Sequence, residues 1–453
     1  MTDPSRGPAA LALFADLYEL TMAQAYYAEG LTGPAVFELF VRRLPPGRNV
    51  LLAAGLGSAL DQLEQLRFEP AALAYLATLG LFEPAFLDRL AELRFTGSVR
   101  ALPEGTPVFA GEPLLEVHAP LPEAQLVETY VLNQIAFQSA IASKAARLVL
   151  AAQGRPVLEF GARRAHGAEA ATLAARSAHL AGFAGTSNVL AGARYGIPVA
   201  GTQAHSYIQA HATEAEALRA YALRYRQTTL LVDTYDTLRG VHEVVRLARE
   251  LGSAFDVRAI RIDSGDLASL SRTARALLDA AGLASVGIVA SGDLDEHAIA
   301  RLVERGAPIT AFAAGTAVAV SSDAPALDAV YKLVAYDGVG RMKLAADKAT
   351  LPGAKQLFRE TRDGVLARDV VAAQGEVLAG APLLVEVMRD GRRLPGDYAD
   401  LDASRERARA GLAALPAALR ALGPAVAPYP VEVSARLSAE AARLRASLAG
   451  GTP

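Results

Sequence analysis

Short apolar runs alternate with amphipathic helical stretches between residues 156 and 336, and this alternation constrains the fold more than any other feature of the chain. The runs are PVLEF (156–160), GFAGT (182–186), IPVAGTQAH (197–205), TTLLVDTYD (228–236), VRAIRIDSGD (257–266), VGIVASGD (286–293), PITAFAAGT (308–316) and DAVYKLVAY (328–336). Several are apolar almost throughout, which is typical of parallel strands buried on both faces. Helical patterns cover 237–252, 267–282 and 294–306, and each ends in glycine, a common helix C-terminus.

Eight strands with intervening helices predict an α/β fold, namely an irregular (β/α)8-type barrel over residues 153–344. We expect irregularity because the segment is short for that fold and its second and third runs lie close together. An open, doubly wound sheet is the alternative, since βα repeats alone do not distinguish the two architectures.

The segments on either side of this region have a different pattern. Residues 35–45 and 95–121 are strand-like, 122–152 are helical, and 382–394 return to a strand pattern. The last segment, 401–447, is helical with a break at Pro416 and another around 424–430. We predict a second α+β domain, formed by residues 1–152 and completed by about 345–453.

Composition excludes several classes of function. The net charge of −3 over 453 residues provides no basic field for nucleic acid or an anionic membrane surface. The chain has no cysteine, which excludes disulfides, thiolate metal sites and a cysteine nucleophile. Neither a signal peptide nor an apolar stretch long enough to span a membrane is evident, so we expect a cytoplasmic protein.

Polar residues follow the predicted strands, where a barrel of this kind carries its chemistry. Taken singly, they have ordinary explanations: Asp266 and Asp293 suit helix N-caps, and His205 suits packing. Together they predict a site, because glycines beside helix starts bind phosphate, carboxylates bind ribose hydroxyls or Mg²⁺, and arginines bind diphosphate or carboxylate. These residues alone indicate a barrel enzyme acting on a phosphosugar and leave the reaction open.

The motifs that carry these residues closely resemble those of the nicotinate phosphoribosyltransferase family. In chain order they are DLYELTMAQAY, EFGARRAHG, GFAGTSNVLAG, GTQAHS, VDTYDT, IRIDSGDL, ASGDLDE and FAAGT with YKLV. The resemblance extends from about residue 11 to about 395. It implies condensation of nicotinate with 5-phosphoribosyl 1-diphosphate, with Mg²⁺, coupled to ATP hydrolysis. A sister family uses nicotinamide.

The resemblance also implies roles for individual residues. His205, in GTQAHS, would be the histidine that ATP phosphorylates, and Asp233 would orient its imidazole. Phe160 would stack on the pyridine ring. Tyr18 would cover the other face of the ring, and it would come with Asp16 from the neighbouring subunit of a homodimer with shared sites.

The remaining roles concern the phosphates, the ribose and the metal ion. Arg163 would contact the nicotinate carboxylate or nearby phosphates, and Arg261 would bind diphosphate. Asp263 would take part in catalysis and hold ribose hydroxyls or Mg²⁺, with Ser264 and Asp266 beside it in the substrate site. The residues implied for the 5-phosphate and ribose are Gly292, Asp293, Gly315 and Thr316.

One position bears on the choice between acid and amide. The nicotinamide-using relatives carry an aspartate where this chain has Ser187, which can donate to a carboxylate that an aspartate would repel. Nicotinate is therefore favoured over nicotinamide. A quinolinate-decarboxylating enzyme and a phosphosugar isomerase or aldolase remain alternatives, and the last would need a lysine such as Lys332. A non-catalytic binding protein is the remaining option.

Overall fold

The computed structural model describes residues 8–345 and 350–449. The chain separates into two compact units, one formed by residues 1–140 with 326–453 and the other by residues 141–325. The first unit therefore draws on both ends of the chain. The division predicted from the sequence lies further along the chain at both boundaries, at 152/153 and at about 344/345.

The first segment of unit one begins with a short 3-10 helix, Pro8–Leu13. Its α-helices are α1 (Leu17–Glu29), α2 (Leu56–Gln65), α3 (Pro70–Thr78), α4 (Pro84–Glu92), α5 (Leu121–Leu126) and α6 (Glu128–Ala152), the last of which continues into unit two. Its strands are β1 (Pro34–Val41), β2 (Leu51–Leu52), β3 (Ser98–Ala101), β4 (Pro107–Val108) and β5 (Pro113–Pro120).

Unit two alternates strands with helices. The strands are β6 (Val157–Glu159), β7 (Gly185–Thr186), β8 (Thr228–Leu231), β9 (Val257–Ile262), β10 (Gly287–Ala290) and β11 (Ala311–Ala314). The α-helices are α7 (Ala168–Leu180), α8 (Val189–Tyr195), α9 (His205–Gln209), α10 (Glu214–Arg224), α11 (Thr237–Leu251), α12 (Leu267–Ala280), α13 (Glu296–Glu304) and α14 (Thr316–Ala319). Short 3-10 turns occupy Ala162–Arg164 and Gly252–Ala254.

The second segment of unit one is mostly β-structure followed by two helices. Its strands are β12 (Ala329–Tyr336), β13 (Val339–Gly340), β14 (Lys355–Arg362), β15 (Val365–Ala373), β16 (Ala381–Pro382), β17 (Val385–Arg389), β18 (Arg392–Arg393) and β19 (Val431–Val433). Its helices are α15 (Leu401–Ala414), a 3-10 turn at Ala417–Arg420, and α16 (Ala435–Ala449).

Unit one is organised around a seven-stranded sheet in the order β13-β12-β1-β5-β3-β17-β18. The pairings along this sheet are antiparallel, and they join strands from both ends of the chain. Phe37 of β1 stacks on Tyr331 of β12 with ring centroids 4.9 Å apart, and both residues are buried. A four-stranded sheet, β16-β14-β15-β19, and the pair β2-β4 complete the β-structure described in this unit.

Unit two contains one six-stranded sheet in the order β7-β6-β11-β10-β9-β8, and every pairing in it is parallel. The strands are short and apolar, and Ile260 and Ile288 at its centre are fully buried. Because all six strands run the same way, their carboxyl ends lie along one edge. The helices that follow the strands therefore begin beside one another at that edge.

The predicted α/β class and the second α+β unit are confirmed, but the predicted count of eight barrel strands is wrong. Within the described residues, the parallel sheet is a half-barrel of six strands. The run 197–205 forms only a single bridge, between Thr186 and Val199. The run 328–336 is β12, which pairs antiparallel with β1 because Tyr331 completes the core of unit one.

One helix among the described residues, α6, is long and apolar enough to cross a membrane by length and composition alone. Its most apolar 18-residue stretch is 78% buried, which is the behaviour of a core helix in a soluble protein.

Candidate active site

Arg261 is the centre of a polar cluster at the carboxyl edge of the parallel sheet. Its guanidinium donates through Nε to Ser291 Oγ (2.7 Å), and its two terminal nitrogens reach Thr202 Oγ1 (2.8 Å) and Asp263 Oδ1 (2.6 Å). The guanidinium carbon also lies 5.7 Å from the centre of the Phe160 ring. One arginine thus joins the ends of three strands, β6, β9 and β10, to the segment that carries Thr202, and its side chain is only 11% exposed.

Asp263 is held as an anion by this cluster. Burial alone would raise the pKa of its carboxyl, but a hydrogen bond from Ser291 and the charges of Arg261 and His205 outweigh it and lower the pKa below its usual range. Its Oδ1 takes the bonds from Arg261 and Ser291, whereas its Oδ2 faces His205. The negative charge therefore persists at neutral pH, with one oxygen directed to the histidine.

The turn after β10 is a candidate anion cradle. Gly292 and Asp293 both have positive φ, of 88° and 46°. A methyl group on Gly292 would overlap the carbonyl oxygen of Asp263, so only glycine fits there. Successive backbone N–H groups in a turn can form a concavity that favours an anion such as phosphate. Asp293 does not cap the following helix; Asp295 does, accepting from Ala298 N (2.7 Å).

Arg164 closes one side of this turn. Its guanidinium contacts Asp293 Oδ1 at 3.3 Å and Thr316 Oγ1 at 3.0 Å, and its side chain is 58% exposed. Arg164 is not among the residues that the sequence predicts for the site, because it and Arg163 are equally consistent with a solvated pair. The only sequence signal was its place in EFGARR, directly after a predicted strand end.

A small cavity of about 170 Å³ joins these groups. It is lined by Phe160, Arg163, Arg164, Arg261, Asp263, Ser291, Gly292, Asp293, Ala313, Gly315 and Thr316. The predicted phosphate and ribose residues therefore share one cavity with the predicted ring-stacking residue. With three arginines in its wall, the cavity suits a phosphorylated, anionic ligand.

His205 begins α9 and lies beside Asp263. Its Nδ1 is 3.2 Å from Thr234 Oγ1, its Nε2 is 3.8 Å from Asp263 Oδ2, and its side chain is 43% exposed. The hydrogen-bond partner of its ring is thus Thr234 and not Asp233, which the resemblance implied. A histidine with one nitrogen held and the other in an open site can act as a nucleophile.

Asp233 instead supports the turn that follows β9. Its Oδ2 accepts from Asp263 N (2.8 Å) and from Ser264 Oγ (2.7 Å). Its Oδ1 is buried with no hydrogen-bond partner among the described residues. Asp266, the other predicted member of this turn, caps α12 by accepting from Ala268 N (3.2 Å) and is not in the cavity wall.

The residues predicted to contact the base from unit two lie at the ends of β6 and β7. Ser187 follows β7, is exposed, and donates its backbone N–H to the carbonyl oxygen of Glu159 (2.9 Å). Phe160 follows β6 and is half-buried. The two predicted base contacts are therefore on adjacent strands, since β6 pairs with β7.

Asp16 and Tyr18 belong to unit one, where Asp16 immediately precedes α1. Asp16 Oδ2 accepts from Thr129 Oγ1 (3.3 Å). Tyr18 is 44% exposed. Partial burial and then the charges of Glu128 and Glu19 raise the pKa of Tyr18, so its hydroxyl stays protonated at neutral pH.

A parallel sheet whose strand ends bring together arginines, carboxylates and a glycine turn defines an α/β enzyme site for a phosphorylated ligand. Comparison with known proteins narrows this class. Residues 13–136 match the nicotinate phosphoribosyltransferase (NAPRTase) N-terminal domain, and residues 156–344 match the nicotinate phosphoribosyltransferase (NAPRTase) family. The chain therefore belongs to the nicotinate phosphoribosyltransferase family of enzymes.

Individual relatives agree with this placement. Nicotinate phosphoribosyltransferase pncB2 of Mycobacterium tuberculosis is 55% identical over 434 residues, which cover 96% of this chain and 94% of the relative. Nicotinate phosphoribosyltransferase of Bacillus subtilis is 42% identical over 392 residues, covering 85% of this chain and 78% of the relative. The crystal structure of human nicotinic acid phosphoribosyltransferase superposes with a TM-score of 0.83 at 32% identity, covering 95% of this chain and 99% of that one.

Proposed function

We propose that this enzyme forms nicotinate mononucleotide and diphosphate from nicotinate and 5-phosphoribosyl 1-diphosphate, as a cytoplasmic step of NAD biosynthesis. The observation that carries the proposal is the position of Arg261, which lies over Phe160 and joins three strand ends and the Thr202 segment beside one cavity suited to an anionic ligand. The identity of the two substrates, nicotinate and the phosphoribosyl donor, is proposed from membership of the family. The test is chromatographic detection of nicotinate mononucleotide after incubation with both substrates and Mg²⁺; no product would refute the proposal.

Each end of the phosphoribosyl substrate has a complementary region in unit two. The 5-phosphate would lie on the Gly292 turn and at the start of α14 beside Thr316. The ring of nicotinate would stack on Phe160. The pyridine nitrogen then forms a bond to C1 of the ribose while the bond from C1 to the diphosphate breaks. Asp263 would stabilise the positive charge that develops on the ribose, and Arg261 the negative charge on the departing diphosphate.

The proposed Mg²⁺ fits the residues present only if the substrate supplies most of its ligands. No group of three or more His, Asp or Glu among the described residues is placed to hold a metal ion. Asp263 Oδ2, with no bond from Arg261 or Ser291, is the oxygen available to it. Mg²⁺ commonly binds in this way, through one or two carboxylates plus substrate phosphates, and it would neutralise diphosphate charge.

We infer that ATP hydrolysis is coupled through His205. Nε2 would attack the γ-phosphorus of ATP, forming an N–P bond as the bond to ADP breaks, while Thr234 holds Nδ1. Support comes from the 3.2 Å contact between Nδ1 and Thr234 and from the 43% exposure of the side chain. Incubation with ATP labelled at the γ-phosphate should give acid-labile label on the wild type and none on His205→Asn. An unlabelled wild type would refute the coupling.

Selection of nicotinate over nicotinamide would depend on Ser187. An uncharged hydroxyl at this strand end can donate a hydrogen bond to the substrate carboxylate, whereas an aspartate would repel it. Ser187→Asp should therefore lower kcat/KM for nicotinate and raise it for nicotinamide. Ser187→Ala is the matched control, because it removes the hydroxyl without adding charge and should lower nicotinate turnover only. Equal effects of the two substitutions on both bases would contradict this role.

We further infer a homodimer with shared sites, in which Asp16 and Tyr18 of one copy complete the site of the other. Support comes from an exposed apolar group before and at the start of α1, where Phe14, Leu17 and Tyr18 are 45%, 51% and 44% exposed. Mixing inactive Tyr18→Ala with inactive Asp263→Asn should restore activity, because hybrid dimers would contain one intact site. No recovery after subunit exchange, verified with tagged chains, would contradict shared sites.

A further inference from the structure

Glu159 is a buried acid between the two turns that carry the predicted base contacts, and the sequence predicts no role for it. It ends β6, is 1% exposed, and immediately precedes Phe160. Burial raises the pKa of its carboxyl, while hydrogen bonds from Thr186 and Gly161 act against that effect. A carboxylate at such a depth is costly unless its oxygens are satisfied, so its two partners indicate what it does.

Each carboxylate oxygen of Glu159 holds a different turn. Oε1 accepts the backbone N–H of Gly161, in the turn that carries Phe160 and Arg163. Oε2 accepts the hydroxyl of Thr186 at 2.6 Å, at the end of β7. The main chain of Glu159 repeats the link, because its carbonyl oxygen accepts the N–H of Ser187 at 2.9 Å.

The second turn is itself fixed through the same hydroxyl. Thr186 is fully buried, and its Oγ1 accepts the N–H of Asn188 at 3.0 Å while its hydrogen goes to Glu159. Asn188 in turn caps α8 by accepting from Ala191 N at 3.2 Å. Both partners of the Glu159 carboxylate are therefore donors, and only an acceptor at both oxygens satisfies them. Glutamine would place an N–H₂ against one of these donors.

The first turn has little freedom to move independently. A methyl group on Gly161 would lie 2.6 Å from Ala319 Cβ and 2.7 Å from the carbonyl oxygen of Gly315. Phe160 N also donates to the carbonyl oxygen of Ala314 at 2.8 Å. The Phe160 turn is thus packed on the residues that follow β11. The Glu159 carboxylate links this packed turn, through the hydroxyl of Thr186, to the turn that carries Ser187.

We propose that Glu159 is a positioning residue for the base pocket: its carboxylate joins the Phe160 turn to the Ser187 turn and so sets the spacing between the ring-stacking and the polar side of that pocket. The inference rests on the proposed function, because Phe160 and Ser187 bind the base only there. Glu159 itself is buried and does not line the cavity, so it acts through the turns that it holds.

The test compares variants at both ends of the link. Glu159→Gln places an N–H₂ against Gly161 or Thr186, and Thr186→Val removes the hydroxyl, so each breaks one side of the link with little change in shape. Thr186→Ser keeps the hydroxyl, and Glu169→Gln changes an exposed acid of α7 in the same unit. We expect the first two to raise KM for nicotinate about tenfold, the size of effect for a hydrogen bond to a charged acceptor, and to leave KM for 5-phosphoribosyl 1-diphosphate within about twofold. The other two should behave as the wild type.

Hydrogen exchange provides a readout that does not depend on activity. In Glu159→Gln and Thr186→Val, the amides of Gly161 and Ser187 should exchange faster, while those of β9 and β10 keep wild-type protection. Unchanged exchange at Gly161 and Ser187 would overturn the proposal, as would an unchanged nicotinate KM in an active enzyme. A parallel rise of KM for both substrates with faster exchange throughout the sheet would also overturn it, because that is general loosening. An inactive wild type would instead refute the proposed function, and hydrogen exchange would still decide the link.

Discussion

Replacing Glu19 by glutamine should stabilise the protein at pH 8 and much less at pH 5. Glu19 is fully buried in α1, where its Oε1 accepts from the backbone N–H and the hydroxyl of Thr129. Its Oε2 has no hydrogen-bond partner among the described residues. Burial raises the pKa of Glu19 from 4.5 to about 7. The hydrogen bonds from Thr129 partly offset this effect, and the charges of Glu128 and Asp16 add to it.

The direction in which stability changes with pH follows from proton binding to Glu19 in the two states. The folded state holds the proton of Glu19 more tightly than the unfolded state, so stability falls as the pH rises from about 4.5 to about 7 and then stays level. A difference of about 2.5 pKa units corresponds to about 3 kcal/mol of lost stability once both states are ionised. Most of that loss, roughly 2.5 kcal/mol, falls between pH 5 and pH 8. Glutamine resembles the protonated acid and avoids the loss.

Urea unfolding at pH 5 and pH 8 measures this difference, followed by tyrosine fluorescence because the chain has 14 tyrosines and no tryptophan. The advantage of Glu19→Gln in unfolding free energy should grow between the two pH values. Glu29→Gln, at an exposed position of the same helix, is the matched control and should show no such growth. An advantage of Glu19→Gln that is independent of pH, or equal to that of the control, would refute the reasoning.

Two further substitutions test the cradle and the buried charges. Gly292→Ala should raise KM for 5-phosphoribosyl 1-diphosphate at least about tenfold, because the φ of Gly292 is 88° and the added methyl group would overlap the carbonyl oxygen of Asp263. The control is Gly306→Ala in the same assay. Gly306 also has positive φ but has open space around it, so that KM should not change. Lys355→Met should cost about 3–5 kcal/mol, because it leaves Glu38, 2.6 Å from Lys355 Nζ, buried without its cation. Adding Glu38→Gln should recover part of that loss in urea unfolding, and no recovery would show that the two side chains act independently.

Local pattern was sufficient to predict much of unit two. The runs around Ile260 and Ile288 are apolar on both faces, and they are the central strands of the parallel sheet. The order of polar residues along the chain also placed Phe160, Arg261 and Gly292 at one sheet edge, where one cavity unites them. These predictions succeed because a parallel strand and the helix after it are encoded by neighbouring residues.

Strand pairings between residues distant in the chain could not be predicted from the local sequence pattern. The run 328–336 reads as one more buried strand, yet it pairs with β1, some 290 residues earlier, through contacts such as Leu39 with Tyr331. Nothing within the run distinguishes a parallel from an antiparallel neighbour. Lys332 lies on this strand beside Glu128 (3.5 Å), so the aldolase alternative loses its candidate lysine at the parallel sheet.

Side-chain roles within the site were predicted only in part. Asp266 and Asp293 both suited helix N-caps, but only Asp266 is one, because Asp295 lies closer to the start of α13. Glu159 resembled an ordinary strand residue, since its role depends on a hydroxyl that β7 brings beside it. Such assignments require the relative positions of two elements, which no local sequence pattern contains.

The most direct test of the central claim is a competition between the two bases. Equimolar nicotinate and nicotinamide, with 5-phosphoribosyl 1-diphosphate, Mg²⁺ and ATP, would be incubated with the wild-type enzyme and the mononucleotides separated and quantified. The proposed function predicts nicotinate mononucleotide as the dominant product, in a larger amount than without ATP. Nicotinamide mononucleotide as the main product, or neither mononucleotide, would contradict it.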